Sequence, residues 1–406
     1  MSAPIRPADP AERQALHDVF AALCAIPSPS GRERACADHA ADLLRRLGLT
    51  VEEDDAGARI GGDAGNLLCR IPAAAPVLGT EAGEPPTILL CAHLDTVPVA
   101  GPIRPLRDEH GWRDEGGGIL GADNKATVAA LLVLARRLVR EPAPVAVELL
   151  LTVQEEPQLR GAQAFDAARL RATCGYVVDH PSPLGGIVVG APGHVRFDAR
   201  FRGRAAHAGI APEEGRSAIA AAARAVVALP QGRLPSGATV NVGAIEGGVE
   251  EAPDGEPVTN VVPPHARIVG EVRGLDRDTL QATVDALEAT LHDAAHDAAG
   301  PVDLDLTLQT RFAPYRHRAT AEPVLRATAA LERLGLTPRP FADGGASDAN
   351  VLNAAGLATV NLAGGNERAH QPGERISAAA LETTLDLLLA LVDEHRPGAA
   401  PTTADA

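Results

Sequence analysis

The 406-residue sequence predicts an α/β protein, a mainly parallel sheet with helices around it, interrupted by a smaller α+β insert. Three observations predict this. Short apolar runs, TILLC (87–91), VAVELLLTV (145–153) and CGYVVDH (174–180), lead into or end on polar residues, as buried parallel strands do. From about residue 186 the pattern changes: HVRFDARFRG, TVNVGAI and ARIVGEVR alternate apolar and polar residues, the mark of an antiparallel sheet with one wet face. The length also exceeds the roughly 250–300 residues at which a single core stops growing.

Taken in order, Leu16, Phe20 and Leu23, and then Ala40, Leu43, Leu44 and Leu47, recur at helical spacing on either side of the turn-like IPSPSGRE. Residues 72–86 are rich in Pro, Gly and Ala without periodicity and read as a surface insertion. The stretch 123–140 opens with Asp and Asn, carries an apolar stripe and finishes in arginines, which are helix start and stop signals. Ala-rich helices at 216–229 and 277–298 and a strand at 302–309 complete the insert. A helix (323–334), a strand (358–363) and a helix (377–394) then return to the first unit. The expected domains are 1–185 with 314–406, and an inserted 186–313.

Composition narrows the function. The net charge of −16 is spread along the chain, which argues against nucleic acid or an anionic membrane as partner, since both need clustered Lys and Arg. Lys125 is the lone lysine. No run of eighteen apolar residues occurs, and the N-terminal stretch lacks signal-peptide character, so a cytoplasmic location is expected. The five cysteines are odd in number and form no C-x-x-C pair, against both a disulfide framework and a thiolate zinc site. Any metal must use His and carboxylates.

Such residues cluster at strand ends. His93 ends the first strand in CAHLDT, with Asp95 two residues on as a carboxylate able to orient a metal-bound imidazole. Asp123 stands at a helix start, where it is either a bridging ligand or an ordinary cap. Glu155 and Glu156 leave a buried strand side by side; unless they are a solvated pair, something cationic must meet them. Adjacent carboxylates can divide the work, one holding metal and one activating water. Asp179 ends the third strand, and His370 follows the strand ATVNLA. Each alone has an ordinary reading, but together they fall on the edge of the sheet where α/β enzymes place ligands. Five N/O ligands without thiolate suit two Zn²⁺ ions sharing one carboxylate.

The ordered motifs HLDT, GADNK, TVQEE, VVDH, RAAHAG, NVVP, GGASDAN and AHQPGE resemble the zinc exopeptidase family of peptidase T, carboxypeptidase G, aminoacylase and succinyl-diaminopimelate desuccinylase. The peptidase T-like branch is nearest, through ILGADNKA and APGHVRFDARFRGRAAHAG. The resemblance implies a zinc-peptidase catalytic domain with an inserted lid and dimerisation domain, two Zn²⁺ per chain, a homodimer and a short peptide substrate. One zinc would take His93, Asp123 and Asp179, and the other Asp123, Glu156 and His370. Glu155 would be the general base, Asp95 would orient His93, and the Asp123–Asn124 peptide would be cis. His207 and Asn260 would stabilise the oxyanion and Arg273 would pair with a substrate carboxylate, the His reaching the partner subunit's site in many members. Two departures stand out: Asn124 where the family often has Asp, and HQPGE after the last histidine, where only Glu374 matches. A deacylase of N-acyl amino acids is the alternative on the same site. A non-catalytic metal-binding protein is the remote one, and no base or ligand is missing to favour it.

Overall fold

The computed structural model describes residues 5–74, 85–249, 256–297 and 300–397. It divides into two compact units, Met1–Gly190 with His317–Ala406, and Ala191–Arg316. Most of the surface insertion expected at 72–86 lies outside the described residues.

The larger unit is built on a mixed sheet in the order Val51–Glu53, Leu67–Ile71, Ala146–Thr152, Thr87–His93, Cys174–His180, Ala358–Ala363, Gly186–Ala191. Its centre is parallel: Thr87–His93 runs with both Ala146–Thr152 and Cys174–His180, and Ala358–Ala363 runs with Cys174–His180. Its flanks are antiparallel, at Leu67–Ile71 against Ala146–Thr152 and at Gly186–Ala191 against Ala358–Ala363. The chain therefore stays in this sheet through Gly190. The parallel centre brings the carboxyl ends of three strands side by side, with His93 opposite Thr152 in register.

Helix Ala122–Arg140 is buried along nearly all its length because its Leu, Val and Ala residues face the sheet on one side and the helices Pro10–Ala25 and Ala378–Glu394 on the other. Of its buried cations, Arg137 is paired with Glu12 of the first helix, and Lys125 Nζ donates to the Ile26 carbonyl (2.6 Å). The first helix starts from a capping box in which Asp9 accepts from the Glu12 amide and Glu12 accepts from the Asp9 amide.

The smaller unit is an antiparallel sheet of five strands among the described residues, in the order Gly232–Arg233, Thr239–Gly248, His265–Gly274, Gly193–Arg202, Asp303–Phe312. Helices Ala218–Ala228 and Arg277–Ala295 cover one face, burying Val195, Phe197, Ala199, Phe201, Ile268 and Val272. The alternation seen in the sequence is this division between a covered and a polar face.

One glycine ties the fold to the strand end that carries the glutamate pair. A Cβ at Gly161 would lie 1.8 Å from the Val153 carbonyl oxygen and 2.8 Å from Asn66 Oδ1. Asn66 itself accepts from the Val153 amide (3.1 Å) and donates to the Gly161 carbonyl (2.9 Å). Gly161→Ala should therefore cost roughly 1–3 kcal/mol of stability, the scale of overpacking a core, read as a lower urea midpoint. An unchanged midpoint contradicts this packing.

Candidate metal centre

His93 closes its strand with the Nδ1 edge 2.9 Å from the main-chain oxygen of Asp95 and 3.4 Å from that residue's Oδ1. An Nδ1–H donating there leaves Nε2 facing the carboxylates of Asp179 (3.2 Å) and Asp123 (3.5 Å). Asp95 thus orients the ring chiefly through its backbone. Its carboxylate is engaged elsewhere, accepting from Ser30 Oγ (2.7 Å) and from the amides of Glu155 (2.9 Å) and Glu156 (3.2 Å).

Asp123 follows Gly121, whose φ of +76° turns the chain into the helix. A buried Glu374 fixes that turn, accepting from the amides of Gly121 (2.7 Å) and Asp123 (2.9 Å). The Asp123–Asn124 peptide is cis. Asn124 donates to the Val178 carbonyl (2.8 Å) and to Asp179 Oδ1 (2.5 Å), so the residue that departs from the family's aspartate holds a ligand candidate in place. Asn361 accepts from the Asp179 amide (3.0 Å). On the far side of Asp123, His370 Nε2 lies 3.3 Å from Oδ2 and 3.0 Å from Glu156 Oε1. His370 sits at φ +63° in a loop tied down by the Gly373 amide on the Gly118 carbonyl (2.9 Å).

The result is two groups of convergent ligand atoms, His93 with Glu155 and Asp179, and Asp123 with Glu156 and His370. Asp123 stands between them, one oxygen towards each histidine. Asp123 Oδ1 and Glu156 Oε1 are buried without a hydrogen bond of acceptable geometry, although histidine nitrogens lie 3.5 and 3.0 Å away. Distance without alignment is a poor hydrogen bond but an ordinary arrangement for two donors to one cation. Buried orphan oxygens, all-N/O chemistry and the absence of a thiolate fit divalent metal.

The electrostatics agree. Burial alone would lower the pKa of His93, yet the facing Asp179 and Asp123 carboxylates hold it well above the usual value. Hydrogen bonds to Asp123 and Glu156 raise His370 to about 10. Burial lifts Asp179 to about 7 against the pull of His93, and lifts Glu155 well above the carboxylate range with Asp179 adding to it. For Asp123, burial is outweighed by His370 and His93, so it stays ionised below the usual range. A carboxylate cluster that stores protons in this way is one that a cation can discharge.

In the smaller unit, His207 and Asn260 are exposed and adjacent: the Ala208 amide donates to the Asn260 carbonyl (2.8 Å), and His207 is bridged to Val261. Arg273 is not with them. It lies near the far end of strand His265–Gly274, roughly 25 Å along it at 3.3 Å per residue. There Glu271 takes its Nε at 2.9 Å. Residues that the sequence left unremarked include Glu33 and Ser30 beside the glutamate pair, and Asp348, which accepts from Thr152 Oγ1 (2.5 Å) beneath the strand ends. The acid after the glycine in SGRE is the one signal that could have drawn attention to Glu33.

Residues 189–299 match the family described as a peptidase dimerisation domain, and residues 75–180 match peptidase family M28. An uncharacterised protein of Bacillus subtilis strain 168, YqjE, is 33% identical over 349 residues, 86% of this chain and 89% of that protein. The crystal structure of aminopeptidase PepT from Bacillus cereus is similar at a TM-score of 0.84 and 34% identity, covering 94% of this chain and 98% of that one. A tripeptidase from Staphylococcus aureus is similar at a TM-score of 0.84 and 28% identity, with the same coverage.

Because His93 and His370 hold protons near pH 7, and a metal binds only the deprotonated imidazole, metal loading should release protons. Both pKa values are raised, so rising pH removes the competing proton. Affinity should climb with pH towards about 10, where His370 deprotonates unaided. Calorimetry in buffers of different ionisation enthalpy reads the release directly, and heats independent of buffer contradict it.

Proposed function

We propose, from the premise that this chain belongs to the M20 metallopeptidase family in its peptidase T-like branch, that it is an exopeptidase hydrolysing short peptides at a centre of two zinc ions. The observation that carries this reading is Asp123, set between two His–carboxylate groups with Glu155 alongside. His93, Asp123 and Asp179 would hold one ion, and Asp123, Glu156 and His370 the other. Zinc bound there polarises a scissile carbonyl and lowers the pKa of water to near neutrality.

The chain's own residues supply the proton traffic. Glu155, buried and with its pKa raised, takes a proton from the attacking water as the new C–O bond forms, and returns it to the amine as the C–N bond breaks. Asp95 keeps the Glu155 and Glu156 amides fixed while this happens. We assign oxyanion stabilisation to His207 and Asn260, and recognition of the peptide's carboxylate to Arg273, whose planar fork suits it. The match of residues 189–299 to a peptidase dimerisation domain supports a homodimer, in which we assign His207 and Asn260 to the partner's site. Likeness to PepT favours peptides over the N-acyl amino acids that the same ligands could serve. A cytoplasmic location accords with five buried, unpaired cysteines. No helix among the described residues is long and apolar enough to cross a membrane.

The glutamate pair tests the reading. Glu155→Gln should keep both metals and lose at least about 10²-fold in turnover of a tripeptide, the scale of a general base. Glu156→Gln should instead lose metal, measured by elemental analysis. Equal metal loss in the two variants would show that base and ligand are wrongly assigned.

A further inference from the structure

Three successive amides at the start of the glutamate loop are each held by a buried carboxylate. Glu33 Oε1 accepts from the Gln154 amide at 3.1 Å, Asp95 Oδ1 from Glu155 at 2.9 Å, and Asp95 Oδ2 from Glu156 at 3.2 Å. Glu33 is fully buried and also accepts from the Gly31 amide at 2.7 Å. Burial lifts its carboxyl to about 7, with Asp95 adding to the rise, so this acid is kept inside at a cost.

The first of the three amides belongs to a strained residue. Gln154 has φ +49°, a left-handed conformation that a side chain other than glycine rarely adopts, and it turns the chain out of strand Ala146–Thr152 towards Glu155. Such a conformation persists when its surroundings over-determine it. Here Glu33 holds the Gln154 amide, and Arg160 holds its side-chain oxygen at 2.9 Å. The loop that presents Glu33 is itself anchored to the strand end of His93, through Ser28 Oγ on the Leu94 carbonyl (2.8 Å) and Ser30 Oγ on Asp95 (2.7 Å).

We propose that Glu33 is a positioning residue for hydrolysis, which by holding the Gln154 amide in its left-handed turn fixes the backbone from which Glu155 reaches the reacting water. It touches no ligand candidate among the contacts described above, and acts through Glu155. The inference rests on the reading of Glu155 as general base. It differs from a simple folding role in what it leaves unchanged: the side chains that hold metal stay where they are, and substrate binding does not pass through Gln154.

The test compares Glu33→Ala and Glu33→Gln with the wild-type chain, all loaded with zinc, on one tripeptide. A glutamine keeps an acceptor oxygen in the same place, and an alanine removes it. Glu33→Ala should lower kcat by roughly 10- to 100-fold, the scale of a small misplacement of a reacting group, with KM and metal content unchanged. Hydrogen exchange should quicken in the peptide spanning 153–159, and Glu33→Gln should restore most of kcat. An active wild type with an unimpaired Glu33→Ala variant overturns this inference alone. So does metal loss that accompanies lost turnover, or a Gln variant no better than Ala. A zinc-loaded wild type inert towards the tripeptide overturns the peptidase reading and this inference with it.

Discussion

The site depends on one electrostatic constraint. Asp123, Glu155, Glu156 and Asp179 converge in a largely buried space with two imidazoles as their nearby cationic partners. Taking carboxylates out of water is unfavourable by several kcal/mol each unless opposite charge meets them. Without a cation the cluster answers by holding protons, on His93, on His370 and on the raised carboxyls. Two divalent ions answer the same constraint with charge that can also activate water. Metal binding and catalysis then draw on the same burial.

The scaffold meets that constraint with backbone amides as much as with side chains. Glu374 takes two amides at the turn before Asp123, Asp95 takes two at the glutamate pair, and Glu33 takes one there and one of its own loop. Each of these acids is buried, and each spends its charge on N–H groups at a place where the chain leaves regular structure. Charge-assisted bonds of this kind are stronger than neutral ones and fix direction as well as distance. Loops that would otherwise sample several conformations are held in one. The parallel centre of the sheet supplies the coarse placement, and these acids supply the fine one.

The coarse placement was legible in the sequence and the fine one was not. Apolar runs ending at His93, Glu155 and Asp179 mark strand ends, because burial on both faces of a parallel strand leaves a continuous apolar signature. The antiparallel flanks left less trace, and Gly186–Ala191 reads as the start of the insert although it belongs to the larger sheet. Glu33, Glu374 and Asn124 act through contacts with main-chain atoms from 54 to 253 residues away, and such contacts impose no spacing on the chain. Asp95 shows the same limit: its proximity to His93 is legible, but not that its carboxylate serves the glutamate amides. His207, Asn260 and Arg273 were grouped by motif, and only the direction of strand His265–Gly274 separates the arginine from the other two.

We propose that Asp123 is a carboxylate shared between two metal ions. Anomalous diffraction at the zinc edge from crystals grown with zinc measures that directly. Two peaks flanking Asp123 are expected, about 3.5–4 Å apart, one beside His93 and Asp179 and the other beside Glu156 and His370. A single peak, or two peaks with Asp123 touching neither or only one, would contradict it.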